Sequence, residues 1–208
     1  MPDFSLECEV LGIVAGIDEA GRGPWAGPVV AGAAILNRET LPESLLHGLD
    51  DSKALSAIRR EVLYKELFQS SAVILGVGLA SVEEIDSLNI LQATFLAMAR
   101  AFKNLKCYVD LALVDGNKAP DLPCAVRTIV KGDSRSLSIA AGSIVAKVTR
   151  DRLMTNLAKD FPGYGWETNQ GYGTAGHRAG LERLGVTPHH RKSFAPIRAA
   201  LKHSVVQR

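Results

Sequence analysis

Asp18 and Glu19 stand side by side at the end of an apolar run, "LGIVAGIDEA", and a glycine turn, "GRGPWAG", follows at once. Two adjacent ionised carboxylates in such a place lose hydration that something else must replace. Neighbouring side chains of a regular strand face opposite ways. The pair therefore shares one site only where the strand is ending and the longer glutamate reaches round. Asp115 in "LVDGN" repeats the order of apolar run, acid and glycine turn, and Asp133 in "VKGDSRS" follows a further apolar run. Four anionic groups around one point repel each other unless cations lie between them. Hard Mg²⁺ or Mn²⁺ suits these oxygen donors, and the lack of nearby histidine or cysteine disfavours zinc. Taken singly, Asp115 also reads as a turn residue and Asp133 as a helix cap. Asp151 in "VTRDRL" competes for the fourth position, but it sits in a helix between Arg150 and Arg152, where an ion pair is expected. Asp110, Asp50 and Asp51 read as surface or loop acids.

The glycine turn matches neither GxGxxG nor GxxxxGK, so it gives no support to a nucleotide cofactor or a P-loop. Pro24 stiffens it, its glycines let a substrate approach the main chain, and Arg22 is placed to meet a phosphate. A plain strand-to-strand turn with an exposed arginine is the alternative.

The elements that must position these groups are readable from periodicity. "LGIVAGID", "GPVVAGAAIL", "AVILGVGLA", "DLALVDGN" and "AVRTIV" read as strands. A helix begins after Ser56 as N-cap, and another runs over "NILQATFLAMARAFKNL" with Ile90, Leu91, Phe95, Met98 and Phe102 near one face. A long helix spans roughly Ser136 to Lys159, and a glycine-rich loop with one or two terminal helices follows. Strands first and then helix–strand alternation predict an α/β fold with a mixed central sheet, in which ligands gather at the carboxyl ends of strands. With 208 residues, 47% of them apolar, the chain is expected to form a single domain over 1–208. An α/β core takes about residues 12–160, and the loop and C-terminal helices take about 161–208. No apolar stretch is long enough to cross a bilayer, and "MPDFSLECEV" is not a signal peptide. Cys8, Cys107 and Cys124 form no CxxC, which points to a reducing cytoplasm. The formal net charge of +2 conceals an asymmetry. Residues 1–115 hold 9 Lys+Arg and 16 Asp+Glu, a net −7, while residues 116–208 hold 15 and 6, a net +9. Clustered acids suit divalent cations and a basic surface suits a polyanion, although chance sorting of solvated charge gives the same numbers.

"GIDEAGRGPWAGPVVAGAAIL", "LDDSKALS", "LVDGN", "VKGDSRSLSIAAGSIVAKVTRDRLM" and "GYGT…H" occur in the order found in bacterial ribonuclease HII. The chain resembles that family from about Gly12 to Ile197. The resemblance implies a ribonuclease H-like fold with a helical C-terminal extension. It also implies an endonuclease that cuts the RNA strand of RNA–DNA hybrids and cuts 5′ to single ribonucleotides embedded in duplex DNA. By the same resemblance Asp18, Glu19, Asp115 and Asp133 are metal-binding and catalytic, holding two Mg²⁺ or Mn²⁺ ions for in-line attack of water that leaves 5′-phosphate and 3′-OH ends. Gly21, Arg22 and Gly23 would recognise the ribonucleotide 2′-OH, Tyr172 would stack on the sugar beside the cut, and Lys53 would lie near the scissile phosphate. A monomer is expected, with hybrid or ribonucleotide-containing duplex as its partner and no membrane. Lys147, Arg150, Arg152 and "HHRKSFAPIR" are candidate phosphate contacts, with a solvated face the alternative for each. His177, His189 and His190 read as surface or capping residues. The chain departs from the family in "NQGYGT", where a basic "HKGYGT" is frequent, in "GVTPHHR", which lacks the proline frequent directly after its glycine, and at Gly142, where alanine is usual. A non-catalytic hybrid binder and a DNA-strand nuclease of the same fold are the alternatives. An intact set of four acids disfavours the first, and a substrate lacking any 2′-hydroxyl separates the second.

Overall fold

The computed structural model describes residues 1–206, with side chains to residue 202; Gln207 and Arg208, the end of the expected C-terminal extension, lie outside the described residues. Five strands, β1 (Val14–Ala20), β2 (Val29–Leu36), β3 (Val73–Ala80), β4 (Leu111–Asp115) and β5 (Ala125–Ile129), form one sheet in the order β3-β2-β1-β4-β5. β1, β2 and β3 pair antiparallel, and β1, β4 and β5 pair parallel. The helices are α1 (Ser5–Cys8), α2 (Glu43–Leu46), α3 (Ala57–Gln69), α4 (Val82–Leu88), α5 (Ile90–Lys103), α6 (Leu137–Asp160), α7 (Trp166–Asn169), α8 (Ala175–Leu184) and α9 (Ala195–Val206). α5 covers one face of the sheet, and α6, backed by α3, covers the other. The mixed α/β sheet expected from the sequence is therefore present. No described helix is long and apolar enough to cross a membrane.

Local signals account for most of these elements. β1 and β2 lie between helices on both faces, so their sequences are nearly continuous apolar runs with no alternation. Ser56 accepts from Arg59 N–H to open α3, and Ser136 accepts from Ile139 N–H to open α6. The first ten residues of α6, Leu137 to Ala146, are all buried, as befits a helix apolar on every side. α4 was not among the expected elements, although Ser81 and Glu84 form a complete capping box.

The most deeply buried stripe of α5 lies beside the expected one and shares Met98 with it. Ala93, Thr94, Ala97, Met98 and Ala101 are buried, while Ile90, Phe95 and Phe102 flank them half-buried. Small residues let the helix lie close to β3, where a methyl group added at Gly76 or Gly78 would come within 2.1 or 2.2 Å of the Ala101 or Ala97 carbonyl oxygen. The α6 face is built the same way. A methyl at Gly16 would meet the backbone of Ser138 at 2.1 Å, one at Gly32 the Gly142 oxygen at 2.2 Å, and one at Gly142 the Gly32 oxygen at 2.8 Å. Gly142 is thus a contact point between helix and sheet, which offsets its helix-propensity cost of about 1 kcal/mol.

A third cluster joins the C-terminal helices to the core. Tyr164, Trp166, Leu181 and Ile197 pack on Met154 and Ala158 of α6 and on Ala26 in the turn after β1.

Gly32→Ala should lower stability by about 2 kcal/mol or more, because its methyl group meets backbone rather than a side chain that could move. Thermal unfolding measures this, and an unchanged midpoint would contradict so close a helix–sheet contact.

Candidate active site

β1 and β4 lie side by side with Ile17 opposite Val114, so Asp18 and Asp115 follow as the next residue on each strand. Strand spacing puts their backbones about 4.8 Å apart. β1 does not end at the acids as expected; it runs on to Ala20, still paired with β2 through Ala20 and Val30. The shared site arises because β4 stops at Asp115. Asp18 faces α6, beside the Ser143 hydroxyl, which also donates to Ser52 Oγ at 2.8 Å. Glu19 faces the α5 side and meets Asp115 beyond the end of β4. Asp133 lies in the 3-10 turn Gly132–Ser134 between β5 and α6, where Gly132 N–H donates to Asp115 Oδ1 at 2.6 Å.

Burial and neighbouring charge shift the ionisation of Asp18, Glu19 and Asp133. Asp18, 5% exposed, has a pKa raised well above the ordinary carboxylate value, by burial first and then by Glu19 and Asp115. Burial also raises Glu19, with Arg22 and Lys53 opposing and Asp115 reinforcing the shift. Asp133 is raised by burial, then by Asp51 and Asp115, and Lys53 opposes. Burial pulls the Lys53 ammonium down, but Asp18, Asp51, Asp133 and Asp115 outweigh it, and the net shift is upward. Lys53 therefore lies among the acids as their counter-charge. Asp51 is no remote loop acid, because its charge acts on both Asp133 and Lys53.

No three described His, Cys, Asp or Glu side chains converge tightly enough to chelate an ion as they stand. The acids interact across space, as repelling groups do. Their chemistry nonetheless fits a hard cation: all four donors are carboxylates, and like charge with poor hydration is what a divalent ion relieves.

The glycine turn borders the acids in a cleft of about 320 Å³ that also holds Lys53, Lys147 and Tyr172. Gly21 has φ +101°, and a methyl there would lie 2.0 Å from Arg150 Nε, so glycine is required on both counts. Arg22 is exposed, with Nη1 at 3.4 Å from Glu19 Oε1. Tyr172 is 49% exposed, and a methyl at Gly23 would touch its ring at 3.3 Å. The structure thus brings together Asp18, Glu19, Gly21, Arg22, Gly23, Lys53, Asp115, Asp133 and Tyr172.

Two residues beneath the turn were misread from sequence. Arg150 and Arg191 are 1% and 0% exposed, so neither faces a phosphate. Arg191 donates to the carbonyls of Gly21 at 2.5 Å, Arg22 at 3.0 Å, Gly27 at 2.9 Å and Pro28 at 3.2 Å. Arg150 donates to Pro28 at 3.0 Å, Ala26 at 3.1 Å and, across to the tyrosine loop, Gln170 at 3.0 Å. Burial pulls their pKa values down to about 10 and about 9, and Arg150 depresses Arg191 further.

The other basic candidates are mostly engaged. Lys147 pairs with Asp151, which confirms Asp151 as an ion-pair residue, and Arg152 pairs with Glu61 and lies over the Tyr64 ring. His177 and His190 are buried rather than superficial. Their hydrogen bonds fix their tautomers. Thr187 N–H donates to His190 Nδ1, so His190 Nε2 carries the proton and donates to His177 Nε2 at 3.0 Å. His177 Nε2 also accepts from Trp166, which leaves its Nδ1–H to bond the Tyr172 carbonyl at 3.0 Å. The pair thereby anchors the tyrosine loop.

A family model described as ribonuclease HII matches residues 15–197. The chain is 59% identical over 206 residues to a protein named ribonuclease HII from Rhodospirillum rubrum, with 99% of this chain and 94% of that one covered. It is 62% identical over 197 residues to one from Paramagnetospirillum magneticum, with 95% and 97% covered. Among solved structures, the ribonuclease H2 from Pyrococcus horikoshii OT3 superposes with TM-score 0.75 at 27% identity, over 92% of this chain and 98% of that one.

In divalent-free buffer, Asp18→Asn should raise the unfolding midpoint. The folded pKa of Asp18 is raised, so the wild-type carboxyl costs stability as pH climbs above the ordinary carboxylate range. The gain should grow as pH rises above about 3.8 toward neutrality and vanish below that value, where the group is protonated in both states. A gain independent of pH would assign the burden to packing.

Proposed function

The chain belongs to the ribonuclease HII family, and from that premise we propose that it cuts 5′ to single ribonucleotides embedded in duplex DNA, besides the RNA strand of hybrids. Family and ribonuclease H fold together make it a hydrolase, an endonuclease acting on RNA–DNA hybrids. The finer reading is supported most by one observation. Asp18, Glu19, Asp115 and Asp133, contributed by β1, the end of β4 and one turn, share a field beside a glycine turn that lines the same cleft as Tyr172.

In this reading Asp18, Glu19, Asp115 and Asp133 hold two Mg²⁺ or Mn²⁺ ions, which supply activation of water for in-line attack and stabilisation of the departing 3′ oxygen. The products carry 5′-phosphate and 3′-OH ends. Lys53, kept protonated by the acids around it, offers its charge to the scissile phosphate. Gly21, Arg22 and Gly23 form a turn gripped from below by Arg191, so its backbone can meet a 2′-hydroxyl with little rearrangement. Tyr172 packs on the adjoining sugar. The protein acts as a cytoplasmic monomer whose partner is the nucleic acid.

Mapping products on a duplex holding one ribonucleotide, with Mg²⁺ or Mn²⁺, should give a single cut 5′ to that ribonucleotide. Efficient cutting of an all-DNA duplex would overturn the assignment of the glycine turn. Asp18→Asn should lose at least about 100-fold in turnover while still binding hybrid. Tyr172→Ala should lose on the order of tenfold on the single-ribonucleotide duplex and less on a long hybrid. Equal losses would deny the tyrosine a role at the junction.

A further inference from the structure

The segment before β1 lies outside the span matched by the family model, yet it is built into the turn that carries Asp133. The Asp3 carbonyl accepts from Leu137 N–H at 3.2 Å, and Glu7 Oε1 accepts from Ser138 N–H at 3.0 Å and from Ser136 Oγ at 2.6 Å. These contacts cap two of the first N–H groups of α6, and Ser136 Oγ caps a third, that of Ile139, at 3.1 Å. Leu6 anchors the segment below the strands, against Val14, Leu111, Leu113, Ile129 and Ile139. Glu7 is buried, and its Oε2 has no hydrogen-bond partner, an expensive arrangement that the positive end of α6 helps to offset.

From Ser136 the contacts lead directly to the acids. Arg135 and Ser136 N–H both donate to the Gly132 carbonyl, at 3.0 and 2.8 Å, and Gly132 N–H holds Asp115 Oδ1. One short turn therefore fixes both Asp133 and the Asp115 carboxylate, and Glu7 braces that turn from behind.

We propose that Glu7 is a positioning residue: through Ser136 it sets the Asp115–Asp133 half of the acid set against the Asp18–Glu19 half, and so tunes affinity for the divalent cation. This rests on the reading that these acids hold the metal. Glu7→Asp, one methylene too short to reach both donors, tests it alongside Glu7→Gln, which keeps length and an acceptor oxygen. Mn²⁺ binding to the protein without nucleic acid, by calorimetry, should weaken about 3- to 10-fold in Glu7→Asp and less than about twofold in Glu7→Gln. Leu63→Ala, in the α3–α6 core, should lower the unfolding midpoint and leave Mn²⁺ affinity unchanged. Wild-type Mn²⁺ affinity in Glu7→Asp, or an equal loss in Leu63→Ala, would reduce Glu7 to a stabilising contact and overturn the proposal. A wild-type protein that bound no Mn²⁺ would instead remove the metal reading, and this inference with it.

Discussion

Carboxylates crowded together out of water push one another apart, and at the open end of this sheet four of them are held in mutual reach. As a scale, two unit charges about 4 Å apart cost about 4 kcal/mol at an effective dielectric constant of 20, more than an exposed ion pair returns. The strain has to be carried by packing. Asp18 and Glu19 extend from a strand buried on both faces, and α6 lies so close over it that no side chain fits at Gly16, Gly32 or Gly142. Close contact of that kind resists displacement, because any outward movement of the acids would have to part helix from sheet. Lys53 and Arg22 then supply partial compensation from opposite sides.

The opposite charge is buried a short distance away. Arg150 and Arg191 have no carboxylate partner among their hydrogen bonds; their guanidiniums are solvated by backbone carbonyls, mainly those of the glycine turn. Buried charge is tolerated only when such dipoles replace water. Removing either arginine would leave carbonyls unsatisfied in the turn that the proposed function uses most. The basic C-terminal half thus has a structural duty toward the acidic half, in addition to any surface contact with a polyanion.

What the sequence disclosed and what it hid follow from this. Asp18, Glu19 and Asp115 were legible because an acid ending an apolar run is conspicuous, and the strands and α6 were legible as long apolar or periodic segments. Arg150, Arg191, His177 and His190 were not, since charged and polar residues default to the surface and their partners here are carbonyls and ring nitrogens brought in from distant parts of the chain. The influence of Asp51 on Asp133 is likewise tertiary. The most buried stripe of α5 was less legible because large apolar residues attract attention, whereas alanines opposite Gly76 and Gly78 decide the approach. α4 carries a start signal in Ser81 and Glu84, but its seven residues are too few to show a helical apolar period. Glu7 gave no signal at all, because its partners lie about 130 positions later.

Arg150 also bears on how a ribose could be told from a deoxyribose. Its guanidinium spans two segments, taking the Ala26 and Pro28 carbonyls on one side and the Gln170 carbonyl on the other. Trp25 N–H adds a bond to the Gly171 carbonyl at 2.8 Å, and His177 holds the Tyr172 carbonyl. The separation between the glycine turn and the tyrosine is therefore set by the fold before any nucleic acid arrives. A rigid gauge of this kind discriminates by refusing to adjust. On the proposed function, a sugar that lacks the 2′-hydroxyl would leave a gap at the turn that the protein could not close without breaking buried hydrogen bonds, and little binding energy would remain to align the phosphate with the acids.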